Sequence, residues 1–471
     1  MAIALTMLQA VASRLSGEIP VTGTEISWLP FQVLSLLIKF GTDEKSQLSL
    51  EPRSACQARM MTIRTRCCVV GGGPAGMMLG FLLARAGVDV VVLEKHSDFL
   101  RDFRGDTIHP STLELMYELG ILDDLLRRPH QEVRQLGGQI GSEFVRIADF
   151  SHLSTHCKFI ALMPQWDFLD FLAEQARRYQ AFQLKMEAEA IDLLEENRRI
   201  LGVRAKTRDG PLDIYSDLVV GADGRHSVVR EKAGLHVDEL GAPMDMLWFR
   251  LSRRSDDGEQ TLGRIVRGKM MVMLNRDDYW QCAYLIRKGD FDRIKQAGVA
   301  AFWRDVVSVT PFLRDRTHEL ETFDQIKLLT VKVDRLSRWY RPGLLCIGDA
   351  AHAMSPIGGV GINLAIQDAV AAANILAAPL VRGSISIADL QRVQRRREVP
   401  TRITQRVQVF IQDHLIRRIL GADEDISVPW PMKLLKSWPF LRRIPARMIG
   451  VGFRAEHVGG LATNSSLSMN R

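Results

Sequence analysis

The chain has 471 residues, 46% of them hydrophobic, so it is long enough for two or three domains with a sizeable core. The net charge of +7 is concentrated after residue 390, where 15 Lys and Arg against 6 Asp and Glu give +9 and leave −2 for the rest. No run of 18 apolar residues predicts a membrane-spanning helix, and the first 60 residues lack the pattern of a secretory signal.

The six cysteines form no CxxC pair, and no histidine cluster has metal-ligand spacing. We therefore expect reduced thiols in a cytoplasmic protein and no metal site. Residues 1–60 precede the first strong strand pattern. We interpret them as a disordered extension, or as the result of a translation start assigned too far upstream.

The first strong pattern is "TRCCVVGGGPAGMMLGFLLARAGVDVVVLEK", which predicts a strand, a glycine turn, a helix and a second strand. This βαβ context is what a dinucleotide fingerprint requires, because the turn and the helix N-terminus receive the pyrophosphate. An acid after the second strand suits ribose hydroxyls and disfavours a 2′-phosphate, which indicates the adenosine diphosphate part of FAD or NAD. The residues predicted to hold it are Gly71, Gly73, Pro74, Ala75, Gly76, Glu94 and Lys95.

Two later segments repeat the pattern of an apolar strand that ends in an acid. "YSDLVVGADGRHSVVREKAG" carries Asp223 and Gly224, which taken alone are a common turn dipeptide. "LLCIGDAAH" carries Gly348 and Asp349, and glycines then precede the apolar helix pattern "INLAIQDAVAAANIL". Glycines there let backbone approach a flat or phosphorylated ligand, and the helix N-terminus faces it.

Together these three segments resemble the FAD-dependent aromatic hydroxylases, the single-component flavoprotein monooxygenases of the para-hydroxybenzoate hydroxylase type. The resemblance covers about residues 64–380. It implies an α/β fold: a Rossmann-like FAD-binding domain, discontinuous in sequence, with an inserted, mainly antiparallel β substrate domain and a helical C-terminal region. The expected boundaries are 61–135, 155–237 and 330–380 for the FAD-binding domain, 136–154 and 238–329 for the substrate domain, and 381–471 for the C-terminal region.

The resemblance also assigns roles to single residues. Asp349 resembles the acid that binds the ribityl or ribose part of FAD, and Asp223 resembles a supporting acid in the central motif. Arg104 falls where family members place an arginine near the cofactor phosphates, and Gln165 matches a polar residue that reaches the flavin chain. The isoalloxazine ring would face Pro356, Gly358, Gly359 and Gly361, and the helix N–H groups beside it belong to Gly361, Ile362 and Asn363. His352 is expected to be structural, and no catalytic residue is assigned.

Between residues 238 and 329 the βαβ rhythm stops, and a hairpin around the turn "NRDD" is predicted. In the resembling family such a sheet covers the flavin and forms the substrate pocket, which implies an apolar aromatic or polycyclic substrate. Four side chains of the hairpin either line that pocket or pack in the core: Met271, Met273, Trp280 and Tyr284.

The implied reaction reduces FAD with NAD(P)H, adds dioxygen to form a flavin hydroperoxide, and hydroxylates the substrate. No second GxGxxG is present, which favours transient binding of NAD(P)H in a groove. A flavin halogenase would need a WxWxIP-like stretch, which the chain lacks. A flavin-dependent reductase or dehydrogenase of an isoprenoid-like substrate stays open, as does a non-catalytic FAD-binding scaffold or sensor.

The C-terminal region mixes basic and apolar residues in "PWPMKLLKSWPFLRRIPARMIGVGF". This mixture suits an anionic membrane surface, and a helical cap on the FAD domain is the alternative. Four prolines exclude one long amphipathic helix. Nucleic-acid binding is not expected, because no recognition fold accompanies the charge. The sequence carries no signal for an oligomeric state.

Overall fold

The computed structural model of the protein describes residues 61–100, 107–258, 262–424 and 427–459. The proposed extension at 1–60 and the predicted phosphate ligand Arg104 therefore lie outside the described residues.

The described residues form a mixed α/β structure with several sheets. The strands are β1 (Met61–Val70), β2 (Val90–Leu93), β3 (Thr107–Ile108), β4 (Gln131–Val133), β5 (Gln135–Ile140), β6 (Glu143–Asp149), β7 (Ile160–Leu162), β8 (Phe182–Lys185), β9 (Glu189–Glu196), β10 (Arg199–Thr207), β11 (Gly210–Gly221), β12 (Val237–Glu239), β13 (Met244–Ser252), β14 (Leu262–Val266), β15 (Lys269–Asn275), β16 (Tyr279–Arg287), β17 (Lys327–Leu329), β18 (Asp334–Leu336), β19 (Tyr340–Arg341) and β20 (Leu344–Cys346). The α-helices are α1 (Pro74–Arg85), α2 (Pro110–Glu118), α3 (Leu122–Leu126), α4 (Gln165–Ala176), α5 (Val228–Lys232), α6 (Phe291–Ala297), α7 (Val299–Val309), α8 (Gly361–Val381), α9 (Ile387–Ile411), α10 (Arg417–Leu420), α11 (Trp430–Ser437) and α12 (Arg443–Gly450).

A sheet of five parallel strands in the order β8, β2, β1, β11 and β20 carries the glycine loops. β2 and the second half of β1, Cys67 to Val70, are apolar and buried on both faces, as parallel strands covered on two sides must be. β19 joins the edge antiparallel, and β10 and β9 extend the first half of β11 as an antiparallel meander. Because the strands run the same way, the loops after β1, β11 and β20 meet at one edge.

Helices α1, α4, α8 and α9 pack against one another beside this sheet. The predicted late helix is confirmed as α8, whose apolar residues lie in the same core as the strands. Together with the turn before it, α8 is long and apolar enough to cross a membrane by length and composition. Most of its side chains are buried inside the protein, as in a core helix.

A second sheet of seven strands has the order β17, β13, β16, β15, β14, β5 and β6. The hairpin predicted around "NRDD" is confirmed as β15 and β16. All neighbouring strands of this sheet are antiparallel except β14 and β5, which are parallel. The sheet combines β5 and β6, which precede β11 in sequence, with five strands that follow β11. Helices α6 and α7, which the sequence analysis did not predict, cover one face of this sheet.

The two faces of the seven-stranded sheet belong to different cores. One face packs against α7, through contacts such as the edge-on pair of Tyr284 and Phe302, whose ring centroids are 5.4 Å apart. This core contains all four hairpin residues considered above, Met271, Met273, Trp280 and Tyr284. Of the two roles considered for these side chains, packing in the core is the one that the structure shows. The opposite face packs against the C-terminal helices and Ile357.

The C-terminal region is helical, and it breaks at Pro429 and Pro439, whereas Pro431 and Pro445 lie in the first turns of α11 and α12. α9 continues into a turn of π-helix, Gln412–Ile416, and then α10. The segment after residue 427 forms α11, a 3₁₀ turn at Pro439–Arg442, and α12.

Candidate functional site

Three glycines of the first loop face three different environments. Gly71 has a φ of +108°, and a Cβ there would lie 2.4 Å from the carbonyl oxygen of Ala222. A Cβ on Gly76 would lie 1.9 Å from the Gly71 oxygen, so the first turn of α1 packs directly on the loop. A Cβ on Gly73 would meet nothing within 4 Å. The first and third glycines are therefore required by the fold, and the second leaves open space at the N-terminus of α1.

Glu94 lies beside this open space, directly after β2. Its Oε2 accepts a hydrogen bond from the Gly72 N–H at 3.1 Å, and its Oε1 accepts one from the His96 N–H at 3.1 Å. These bonds fix the buried carboxylate at the loop. Its neighbour Lys95 is exposed.

The late loop lies directly against the first one. A Cβ on Gly348, whose φ is +58°, would lie 3.2 Å from the Ala75 Cβ and 3.1 Å from the Ala365 Cβ. The backbone also connects the late loop to the end of β11, because the Ile347 N–H donates to the Gly221 oxygen at 2.9 Å. The structure therefore brings together residues more than 270 positions apart in sequence, as two parts of one surface.

The two predicted acids differ in how they are used. Asp223 accepts hydrogen bonds from Ser227 Oγ at 2.5 Å and from the Val229 N–H at 3.1 Å, which places its carboxylate at the start of α5. Burial raises the pKa of Asp223 although these bonds oppose the shift. Asp349 is partly exposed and lies 3.4 Å from the Arg225 guanidinium. Asp349 can therefore reach a ligand, with Arg225 as a charged neighbour that the sequence analysis missed.

The glycines of the late loop are constrained by a second segment. Gly358 and Gly359 have φ values of +78° and +63°, and a Cβ on Gly359 would lie 2.5 Å from Thr107 Oγ1. Thr107 Oγ1 donates to the Gly359 oxygen at 3.1 Å. Asn363 completes this junction: its amide donates to the Thr107 and Gly359 oxygens and accepts from the His109 N–H and Thr112 Oγ1.

The N-terminus of α8 supplies free backbone donors at this junction. The hydrogen bond from the Leu364 N–H to the Val360 oxygen is the first of the helix ladder, so the preceding N–H groups of Gly361, Ile362 and Asn363 have no partner within the helix. Their partial positive charge favours an anionic group. The Asn363 side chain is already engaged, so only its backbone can serve a ligand. Pro356 precedes this turn and is half-buried.

Gln165 is the first residue of α4 and is half-buried. Among the described residues its side-chain amide has no hydrogen-bond partner, which leaves it available to a ligand.

His352 is part of a buried charge network. Its Nε2 lies 2.5 Å from Asp368 Oδ2, and Arg397 Nε donates to Asp368 Oδ1 at 2.9 Å. Arg397 also contacts Glu456 at 3.2 Å. Burial would raise the pKa of Asp368, but His352 and Arg397 outweigh it and hold that pKa below its ordinary value. The structural role expected for His352 agrees with this position, and the network itself was missed because its partners are far apart in sequence.

His109 is a second buried histidine, and the sequence analysis did not single it out. Its Nδ1 donates to the Ile449 oxygen at 2.7 Å, while Nε2 is buried with no partner among the described groups. Burial lowers the pKa of His109 to about 4, and the bond to Ile449 only partly opposes that shift. His109 is therefore neutral at neutral pH.

This arrangement fits FAD. The open side of Gly73 and the N-terminus of α1 suit a pyrophosphate, the fixed acid Glu94 suits ribose hydroxyls, and the N-terminus of α8 suits the polar edge of a flavin. The FAD binding domain family matches residues 64–407, which is more than half of the chain.

Curated relatives agree with this match. The chain is 32% identical over 348 residues to 6-methylpretetramide 4-monooxygenase of Streptomyces rimosus, covering 74% of this chain and 83% of that protein. It is 28% identical over 322 residues to a rifampicin monooxygenase of Streptomyces venezuelae, covering 64% and 61% of the two chains. The fold matches the solved structure of OxyS anhydrotetracycline hydroxylase from Streptomyces rimosus with a TM-score of 0.64 at 22% identity, covering 82% of this chain and 76% of that one.

The fold and site thus define a flavoprotein oxidoreductase. The chain belongs to the FAD-dependent aromatic hydroxylase family and is an FAD-dependent monooxygenase.

Proposed function

We propose that this enzyme hydroxylates an apolar aromatic or polycyclic small molecule with electrons from NAD(P)H and oxygen from dioxygen. The observation that supports it best is the apolar core in which the face of the seven-stranded sheet opposite α7 meets Ile357 of the late loop. Its apolar side chains, from β13, β15 and β17, are Met246, Trp248, Met270, Val272 and Leu329. The names of 6-methylpretetramide 4-monooxygenase and rifampicin monooxygenase agree with a sizeable substrate.

The proposed domain boundaries follow the two sheets. The FAD-binding domain comprises 61–135, 155–237 and 330–380, the substrate domain comprises 136–154 and 238–329, and the C-terminal region comprises 381–471. The proposed contacts to the adenosine diphosphate part are Gly71, Gly73, Pro74, Ala75, Gly76, Glu94, Lys95 and Arg104. The proposed contacts to the remainder of FAD are Gln165, Asp223, Gly348, Asp349, Pro356, Gly358, Gly359, Gly361, Ile362 and Asn363.

When bound, FAD supplies electron transfer from NAD(P)H and activation of dioxygen. The chain's own contribution is to bind, orient and exclude water. The N–H groups at the start of α8 stabilise negative charge at the cofactor's polar edge. The apolar face of the sheet holds the substrate in one orientation and keeps water from the reacting atoms.

A substrate panel tests the proposal. The expected result is substrate-dependent NAD(P)H oxidation with oxygen uptake and incorporation of heavy-isotope oxygen from dioxygen into the product. Reduction of a substrate without oxygen would instead establish the reductase alternative. FAD binding without turnover of any panel member would favour the scaffold alternative.

Enlarging one side chain on each face of β15 tests the pocket. Val272→Phe is expected to raise the substrate KM about tenfold or more by narrowing the pocket. Met273→Phe enlarges the opposite face, against α7, and is expected to lower the melting temperature with little change in KM. Equal effects of both variants on KM would contradict the placement of the pocket.

We propose further that this cytoplasmic enzyme contacts anionic membranes through the segment 430–447. Trp430, Trp438 and Phe440 are 74%, 55% and 60% exposed, an unusual cost for aromatic side chains in water. Lys433 and Arg443 are exposed among them. Aromatic and basic side chains together suit the interface of an anionic bilayer. A second copy of the chain fits less well, because a symmetric contact would bring these cations together.

Vesicle flotation tests this contact. The full chain is expected to bind vesicles of phosphatidylglycerol and phosphatidylcholine, more weakly at high salt, and to lose binding on combined Trp430→Ser, Trp438→Ser and Phe440→Ser substitution. Phe410→Ser removes an exposed aromatic outside the segment and is the matched control. Retention of binding by the triple variant would refute the proposal, and a dimer lost in that variant would assign the surface to a second copy.

A further inference from the structure

The late loop has a buried backbone without regular secondary structure. Residues 352–355 belong to no helix or strand, yet all four are buried. Buried N–H and C=O groups outside a sheet or helix need other partners, since an unpaired polar group in the interior is destabilising. Three glutamines on one face of α9 and the π turn that follows it bond to this segment: Gln405 and Gln408 to its backbone, and Gln412 to the Ser355 hydroxyl.

Gln408 makes most of these bonds. Its Nε2 donates to the Ser355 oxygen at 3.0 Å and to the Ile357 oxygen at 2.9 Å, and its Oε1 accepts from the Ser355 N–H at 3.1 Å. Only a primary amide offers two donors and an acceptor from one side chain. A glutamate here would turn carboxylate oxygens toward two carbonyl oxygens.

The other two glutamines continue the row. Gln405 Nε2 donates to the Ala353 oxygen at 3.1 Å and to the Asp334 oxygen at 2.8 Å, and Gln412 Nε2 donates to Ser355 Oγ at 2.6 Å. Spacings of three and four residues place all three amides on one helical stripe. The three side chains are at most 3% exposed.

We propose that this glutamine row, Gln405, Gln408 and Gln412, positions the flavin in the active site through the loop Ser355–Gly359. The row fixes the backbone on one side of the loop, and Thr107 and Asn363 fix Gly359 on the other. The loop leads directly into the N–H groups at the start of α8. A shift of the loop therefore moves the donors and the apolar wall that the flavin meets. The glutamines act through the loop and are positioning residues.

The chain offers a matched control on the same helix. Gln394 is also buried on α9, and its amide likewise accepts from a backbone N–H, that of Trp339, at 3.0 Å and donates to the Ser337 oxygen at 3.1 Å. Its partners precede β19, at the outer edge of the parallel sheet, and include no residue of the late loop.

The test compares Gln408→Met with Gln394→Met in the full chain. Both variants are expected to melt at a lower temperature, since each leaves buried backbone groups unpaired. Only Gln408→Met is expected to weaken FAD binding by about tenfold or more and to change the visible circular dichroism of bound flavin. The amount of hydrogen peroxide formed per NAD(P)H oxidised should also rise in that variant alone.

Unchanged FAD affinity and dichroism in Gln408→Met would overturn the proposal, as would an equal loss in Gln394→Met. If Gln408→Met does not fold, Gln412→Met removes one bond only and must show the same dichroic change in weaker form. The inference rests on FAD binding alone. Failure of the proposed substrate class would leave the FAD titration and dichroism unaffected.

Discussion

Gly73→Ala separates cofactor binding from protein stability. Gly73 has φ −74° and ψ −177°, a conformation that alanine adopts without strain, and its added methyl would meet nothing within 4 Å. The substitution reduces the freedom of the unfolded chain, so we expect the apoprotein to gain about 0.4–1 kcal/mol in free energy of unfolding. The same methyl would occupy the space where the pyrophosphate approaches, so FAD affinity should fall about tenfold or more, which is about 1.4 kcal/mol.

Gly76→Ala is the contrasting variant. Its methyl would lie 1.9 Å from the Gly71 oxygen, a backbone atom that cannot rotate away. We expect a loss of about 3 kcal/mol or more in unfolding free energy, at the upper end of overpacking costs. Urea denaturation of the apoproteins and FAD titration by flavin fluorescence measure the two effects. Unchanged FAD affinity in Gly73→Ala would refute the proposed pyrophosphate position, and a destabilised Gly73→Ala apoprotein would contradict the open space around this residue.

Three further predictions concern buried ionisable groups. Burial lowers the pKa of His109 to about 4 from 6.5, so the unfolded chain binds a proton that the folded chain does not, and stability should fall by up to roughly 3 kcal/mol as pH drops from 6.5 to 4. Arg397→Met leaves Asp368 and Glu456 buried with fewer partners and should cost about 3–5 kcal/mol in urea denaturation. Asp257→Asn should lower the melting temperature because Arg316 then lies buried without its counter-charge.

Each of these has its own control. His109→Gln should weaken the dependence of the unfolding free energy on pH between 6.5 and 4. An unchanged pH dependence would assign it to other groups. Arg396→Met removes the half-exposed neighbour of Arg397 and should cost far less, so an equal loss would contradict the role of burial. Asp257→Asn combined with Arg316→Met should regain stability, because no uncompensated charge is left buried.

The sequence predicted the glycine loops and their order well, because each rests on a local rule. Gly76 is fixed by its contact with the Gly71 oxygen within one turn, and Gly71 has a φ of +108° that favours glycine. A continuous apolar pattern predicts α8. Arg225 and the glutamine row were not predictable in the same way. Gln408 acquires its role only when α9 folds back on a loop 51 to 53 residues earlier, and a glutamine in a helix pattern carries no mark of such a partner.

The hairpin shows a different limit. The sequence predicted the hairpin that contains β15, but both faces of this strand meet apolar clusters, so the pattern could not say which side meets the cofactor loop. Met271 and Met273 lie on the side that packs against α7, and Met270 and Val272 lie on the side of Ile357. Both sides are apolar, so only the packing of the folded chain distinguishes them.

The pairing of β1 with β11 has a consequence for synthesis on the ribosome. Met61 pairs with Leu212, so the strand that begins the cofactor site emerges about 150 residues before its long neighbour. At roughly 5–20 residues per second, β1 waits about 10–30 s with one long edge open. The first half of β1, "MTIRTR", contains two arginines at alternate positions. Their charges oppose pairing of the open edge with other chains until β11 has been synthesised.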